Sequence, residues 1–259
     1  MLRPSVVVRD ARQPMRRGAT LATMTALFDL RTIFLVGACT TALGAMAFVG
    51  LERMYRPAAG AMRRYALALV AMAFGQTLLA LRGGLPDWLS YFGTNLLVSV
   101  GGVLTTDATF RLFGRAQPRW LVGAQLAALA LLWAWLGNDP ADVADRVIAT
   151  AVVQFGWIAA CVYAIRRSDA YGQQPYVRTL ATFFGGYALV HLLRGIAAAL
   201  GATSASGGVF TPGAAQVGFG LLFALSPIAL AMIVQMMLHA RISGELHRRA
   251  TTDELTGLH

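Results

Sequence analysis

The chain has 259 residues, 57% of them hydrophobic and only 13% charged, and its 22 basic residues, all arginine, give a formal net charge of +10. A soluble domain carries about 25% charged residues, so a water-soluble globular fold is excluded. The arginines gather in short stretches between apolar runs, which suits membrane orientation and excludes nucleic acid as the partner of all this positive charge.

Residues 1–31 form a basic tail with Arg3, Arg9, Arg12, Arg16, Arg17 and Arg31. A cleaved signal peptide is not indicated, because the first apolar run is too long and no small-residue cleavage site stands beside it. Translation from Met15 or, more simply, Met24 would remove most of this charge; from Met24 only Asp29 and Arg31 precede the first run. Seven apolar runs follow, over about 32–51, 62–82, 88–112, 119–137, 147–165, 178–200 and 213–239, each near the ~20 helical residues that cross a ~30 Å hydrocarbon core. They predict an all-α integral membrane protein, a bundle of seven transmembrane helices forming one domain over 32–239. No internal repeat is visible. Cys39 and Cys161 fall inside apolar runs at different depths, so they read as small buried residues, and no spacing suggests a disulfide or a metal site.

The connections give an orientation. Those after the first, third and fifth runs carry Arg53, Arg56, Arg63, Arg64, Arg111, Arg115, Arg119, Arg166, Arg167 and Arg178. The alternate connections hold only Arg82 and Arg146, beside Asp87, Asp139, Asp142 and Asp145. Arginine accumulates on the cytoplasmic side. The pattern therefore predicts an N-terminus outside and a C-terminus in the cytoplasm, on the side of Arg241, Arg248 and Arg249; the basic tail is the one feature that disagrees.

Polar groups inside a bilayer are costly and draw attention as functional candidates. At ~1.5 Å of rise per residue, Gln76, Asn95, Gln154 and Arg194 lie in the outer third of their runs. His191 lies one turn deeper on the face of Arg194, at i, i+3. These five are the candidate ligand-pocket residues, open to the periplasm, with Arg194 and His191 as donors to an anionic or polar ligand. The alternative is that the amides only bridge helices, at ~0.6 kcal/mol each, and that Arg194 snorkels to the headgroups. A second set, Thr105, Thr106, Asp107 and Gln235, lies near the inner end, where Asp107 can pair with Arg111 at i, i+4. No carboxylate dyad or histidine pair suggests a catalytic, haem or metal site.

The seventh run contains Ser226 and Pro227. Proline removes a helix hydrogen bond, so this pair is either an ordinary kink or a signal hinge. Beyond it, residues 240–250 read as a cytoplasmic signalling helix. Leu238, Ile242 and Leu246 form a stripe that either pairs with a second copy or packs on the bundle. Thr251 and Glu254 offer a capping box that would start a new element.

Residues 251–259, TTDELTGLH, follow directly. Thr252, Asp253, Leu255, Thr256, Gly257 and Leu258 resemble the opening motif of GGDEF-family diguanylate cyclase domains, in which Asn-Arg-Arg comes next. The stretches Phe28–Val36 (FDLRTIFLV) and Leu81–Ser90 (LRGGLPDWLS) are similar to the seven-span sensor regions that precede such domains. The resemblance implies a membrane-embedded sensory and dimerisation module controlling a cyclase domain, GTP to cyclic di-GMP, that is missing from this chain. It implies a homodimer in the bacterial inner membrane, with an unknown small-molecule or lipid ligand. Asp253 then belongs to the structural opening of that domain, the GG[DE]EF signature is absent, and the chain itself is no enzyme. No cofactor is expected in it; GTP and Mg belong to the missing domain. The competing readings are a small-molecule transporter and a stand-alone seven-helix membrane receptor.

Overall fold

The computed structural model describes residues 30–86, 88–136, 143–170, 174–201 and 214–251. Among these residues the fold is all-α, with no β-strand and seven long helices. They are α1 (Leu30–Met54), α2 (Ala59–Ala80), α3 (Thr94–Leu112), α4 (Arg119–Leu136), α5 (Val143–Arg166), α6 (Pro175–Ala199) and α7 (Ala214–Thr251). Each predicted apolar run overlaps one of them. Four stretches, Leu30–Met54, Ala144–Arg166, Pro175–Ala199 and Val217–His247, are long and apolar enough to cross a membrane. The outer surface agrees, because Val36, Met46, Val152, Leu193 and Met232 all point away from the core. A soluble protein would bury such residues, and lipid is their natural solvent.

Local chemistry sets the helix ends. Pro57 opens a short 3₁₀ turn (Arg56–Ala58) between α1 and α2, and Pro175 opens α6, where a missing N–H costs nothing. Gly114 and Gly201 follow α3 and α6 with φ of 71°, a left-handed conformation that a side chain resists.

Side-chain contacts fix the helix directions. Phe48 of α1 stacks on Tyr65 of α2 with ring centres 4.8 Å apart, and Glu52 meets Arg63 at 2.7 Å, so the two helices run antiparallel. Tyr65 and Thr109 share a hydrogen bond of 2.8 Å, joining α2 to α3 near the same end. Thr106 of α3 reaches the Trp157 carbonyl and Thr109 reaches Cys161, which aligns α3 with α5. Contacts between consecutive pairs close a ring in the order α1, α2, α3, α5, α6, α7 and back to α1, while α4 packs outside it on α5 and α3. The seam between α1 and α7 is parallel. Gly220 faces Ile33, Gly37 faces Ala224, and Gly44 faces Pro227.

The two halves of the ring differ in filling. Phe48, Met62, Tyr65, Ile158, Ile165, Leu180, Phe184 and Met237 form a packed core toward the end where α7 finishes. At that end Asp107 binds Arg64 of α2 at 2.6 Å and Arg111 of its own helix at 3.0 Å. Among the described residues the opposite end has a small cluster of Leu30, Ile33, Phe34 and Ala80, and space is left beside it. Cys161 is buried in the core, as its position in an apolar run suggests, but Cys39 is exposed on the outside of α1. Gln235 also points outward and does not join Thr105, Thr106 and Asp107, which are buried.

A candidate ligand cavity at the ring axis

A cavity of about 110 Å³ opens at the loosely filled end, and all six helices of the ring reach it. A single water needs roughly 10–15 Å³ on this measure, so the space holds several waters or a small ligand. Phe34 comes from α1, Gln76 and Leu79 from the last turns of α2, and Arg82 from the connection after it. Thr94, Asn95 and Val98 come from α3, and Arg146, Val147, Thr150 and Gln154 from α5. Arg194 of α6 and Phe219 and Phe223 of α7 complete the wall.

Spacing explains these choices. Arg146, Thr150 and Gln154 follow one another at i, i+4, i+8 and so share a face of α5. Phe219 and Phe223 do the same on α7. Gly75 lets α3 approach closely, since a Cβ there would lie 3.1 Å from the Thr94 carbonyl oxygen. Before α3 the chain makes a wide π turn over Leu89–Gly93, which brings Ser90 and Tyr91 to the cavity. Asn95 Nδ2 donates to the Tyr91 carbonyl at 2.9 Å and Thr94 Oγ1 donates to the Gly75 carbonyl at 3.2 Å, tying that turn to α2. Turns of this wide kind recur at functional sites.

Charge is concentrated here. The Arg82 and Arg146 guanidiniums lie 3.5 and 5.0 Å from the centre of the Tyr91 ring, and the Arg194 guanidinium lies 4.1 Å from the centre of Phe219. Such cation–π contacts hold a guanidinium in place without neutralising it. No Asp or Glu among the described residues lines the cavity. Gln76 is buried and accepts a hydrogen bond from Thr41 at 3.1 Å. Gln154 is buried with Oε1 unbonded, and both terminal nitrogens of Arg146 lack a hydrogen-bond partner at 9% exposure.

Of the five pocket residues expected from sequence, Gln76, Asn95, Gln154 and Arg194 meet at this cavity. His191 does not line it. It is fully buried behind Phe219, edge-on to that ring at 5.4 Å and to Tyr187 at 4.8 Å, with neither ring nitrogen hydrogen-bonded. Arg82 and Arg146 were legible only as loop charges, yet they stand out in sequence as arginines in connections otherwise acidic.

The cavity wall continues into the α7 proline. A smaller void of about 30 Å³ shares Gln76 and Phe223 with the cavity and extends to Ser226 and Pro227. Pro227 cannot donate to the Phe223 carbonyl, and Ser226 Oγ donates to it at 3.1 Å. Thr40 of α1 donates to the Ala224 carbonyl at 2.6 Å. The helix therefore passes through Pro227 with its carbonyls satisfied and does not stop.

Past the core, α7 is held by Arg241, whose Nε lies 3.4 Å from Gln174 Oε1 and whose guanidinium lies 5.6 Å from the Phe113 ring centre. Leu238 is buried, whereas Ile242 and Leu246 are exposed, so only the first member of the apolar stripe packs on the bundle. The helix runs on through 240–250 to Thr251, with no break ahead of the expected capping box. The motif residues Thr252, Asp253, Leu255, Thr256, Gly257 and Leu258 lie outside the described residues. Comparison of the chain with protein-family models, with curated proteins and with solved structures finds no match.

Proposed function

We propose that the chain is a membrane-embedded sensory and dimerisation module that controls a GGDEF diguanylate cyclase domain opening at residues 252–258. In this reading all seven helices cross the bacterial inner membrane, with the amino end outside and the carboxyl end in the cytoplasm. The cavity faces the periplasm and the cyclase domain binds GTP and Mg on the other side. One observation carries the proposal. A single unbroken helix, α7, supplies cavity residues Phe219 and Phe223 and reaches Thr251, next to the motif. A rearrangement at the cavity would thus be transmitted along one continuous helix. Two cyclase domains must face each other to condense two GTP molecules, a requirement the resemblance implies, and exposed Ile242 and Leu246 supply apolar surface for pairing α7 with its copy.

Helix phase gives the test. Residues 1–258 are joined to a GGDEF domain and cyclic di-GMP is measured in cells. Each inserted residue turns the helix by about 100°. Two extra residues before Thr251 are expected to abolish output, and seven, about two full turns, to restore it. Output indifferent to phase, or a reporter at residue 258 active in the periplasm, would sink the proposal.

The hinge role of Ser226 and Pro227 belongs to the same reading. Pro227→Ala supplies the missing donor to the Phe223 carbonyl and straightens the helix. Basal cyclic di-GMP synthesis is expected to persist while the response to stimulus falls severalfold. A wild-type response in that variant would leave the proline as a packing feature.

A further inference from the structure

We propose, resting on the sensory role above, that the cavity binds a small amphiphilic oxyanion, its carboxylate or phosphate head on Arg146 and Arg194 and its short apolar body against Phe34, Leu79 and Phe223.

Arg146 carries the point. It is the fourth residue of α5, close enough to the helix end to reach solvent or headgroups. Instead it is turned inward at 9% exposure, against Tyr91, with both terminal nitrogens lacking a hydrogen-bond partner. A buried cation without a partner is expensive, and so is each buried N–H left unbonded. Arg194 brings a second positive charge to the same space, held on the face of Phe219. The described lining offers no carboxylate to either. An anionic ligand would supply the compensating charge, and guanidinium forks match carboxylate and phosphate oxygens.

The remaining wall argues against a bare ion. Most of the exposed lining is apolar, and an inorganic anion would give up its hydration there without covering that surface. A head with a short hydrocarbon body satisfies both parts. The unbonded Gln154 Oε1 accepts from a ligand hydroxyl or from a water beside the head.

Binding is measured by thermal unfolding of the purified chain. Free amphiphile is represented by hexanoate in detergent, with hexanol as its neutral counterpart and inorganic phosphate as the bare ion. Bilayer headgroups are represented by phosphatidylglycerol nanodiscs against phosphatidylcholine nanodiscs. Saturable stabilisation by hexanoate identifies a free ligand; stabilisation by phosphatidylglycerol alone identifies a lipid head; both support the site. Arg146→Gln and Arg194→Gln are each expected to weaken binding about tenfold, with unchanged helix content and elution volume. The hexanol comparison needs no variant, so it decides even where a variant misfolds. Equal stabilisation by hexanol, stabilisation by inorganic phosphate alone, no effect of either anionic amphiphile, or wild-type affinity in both well-folded variants would overturn the proposal. Binding that leaves cyclic di-GMP output unmoved in the cyclase fusion supports the site and retires the sensory role.

Discussion

A single methyl group at Gly101 or Gly102 is expected to lower the melting temperature of the purified protein by several degrees. Both glycines lie on α3 where it is squeezed between neighbours. A Cβ at Gly101 would meet Met72 Cγ at 2.5 Å and the Ala68 carbonyl oxygen at 2.9 Å. The methionine is buried and would have to move from the root of its side chain; the carbonyl belongs to the backbone of α2 and cannot move. A Cβ at Gly102 would lie 2.6–2.8 Å from the Trp157 indole, itself buried. Overpacking of this kind costs about 1–3 kcal/mol. Alanine returns up to about 1 kcal/mol through its better helix propensity, so the net change remains destabilising. Gly185 and Gly186 face open space, and alanine there is expected to leave stability unchanged or slightly raised. Thermal unfolding of the four variants in one detergent compares them. If Gly101→Ala and Gly102→Ala melt at or above the wild type, α3 is not packed as described.

Removal of the Asp107 carboxylate is the second large effect. Asp107 is 13% exposed at its side chain and holds Arg64 at 2.6 Å and Arg111 at 3.0 Å. Asp107→Ala leaves two guanidiniums facing one another across the α2–α3 contact. Breaking a fully buried pair costs about 3–5 kcal/mol. Arg64 and Arg111 are 38% and 45% exposed, so water relieves part of that, and a loss of about 1–3 kcal/mol is expected. Replacing the cross-helix pair together, Arg64→Met with Asp107→Leu, is expected to recover much of the loss, because apolar packing often matches a buried ion pair. Chemical denaturation of wild type, single and double variants measures both. A single variant as stable as the wild type would show that the triad contributes nothing to folding.

The helices were legible because hydropathy alone separates them. Four of the five expected pocket residues also converge, since an amide or arginine within an apolar run has few places to go other than inward. The failures have physical causes. Arg82 and Arg146 sit at helix ends, where charge density describes them as loop residues and says nothing of their turning toward Tyr91. His191 shares a face with Arg194, but Phe219 of α7 stands between it and the cavity, a partner no spacing within α6 reveals. The π turn at Leu89–Gly93 has no sequence signature. The position of α4 outside the ring is equally silent, because lipid and a neighbouring apolar helix make the same demand on a side chain. The run of α7 reaches Thr251, and the element expected to open at the capping box lies outside the described residues. Gly244 does not outweigh the helix-forming residues around it.

The seam between α1 and α7 bears on biogenesis. Thr40 and Ala224, whose hydrogen bond closes the circle, are 184 positions apart in the chain. During synthesis α1 emerges first and meets its partner only once α7 has been made. Through that interval Gly37, Thr40 and Gly44 must be sheltered by lipid or by the insertion machinery.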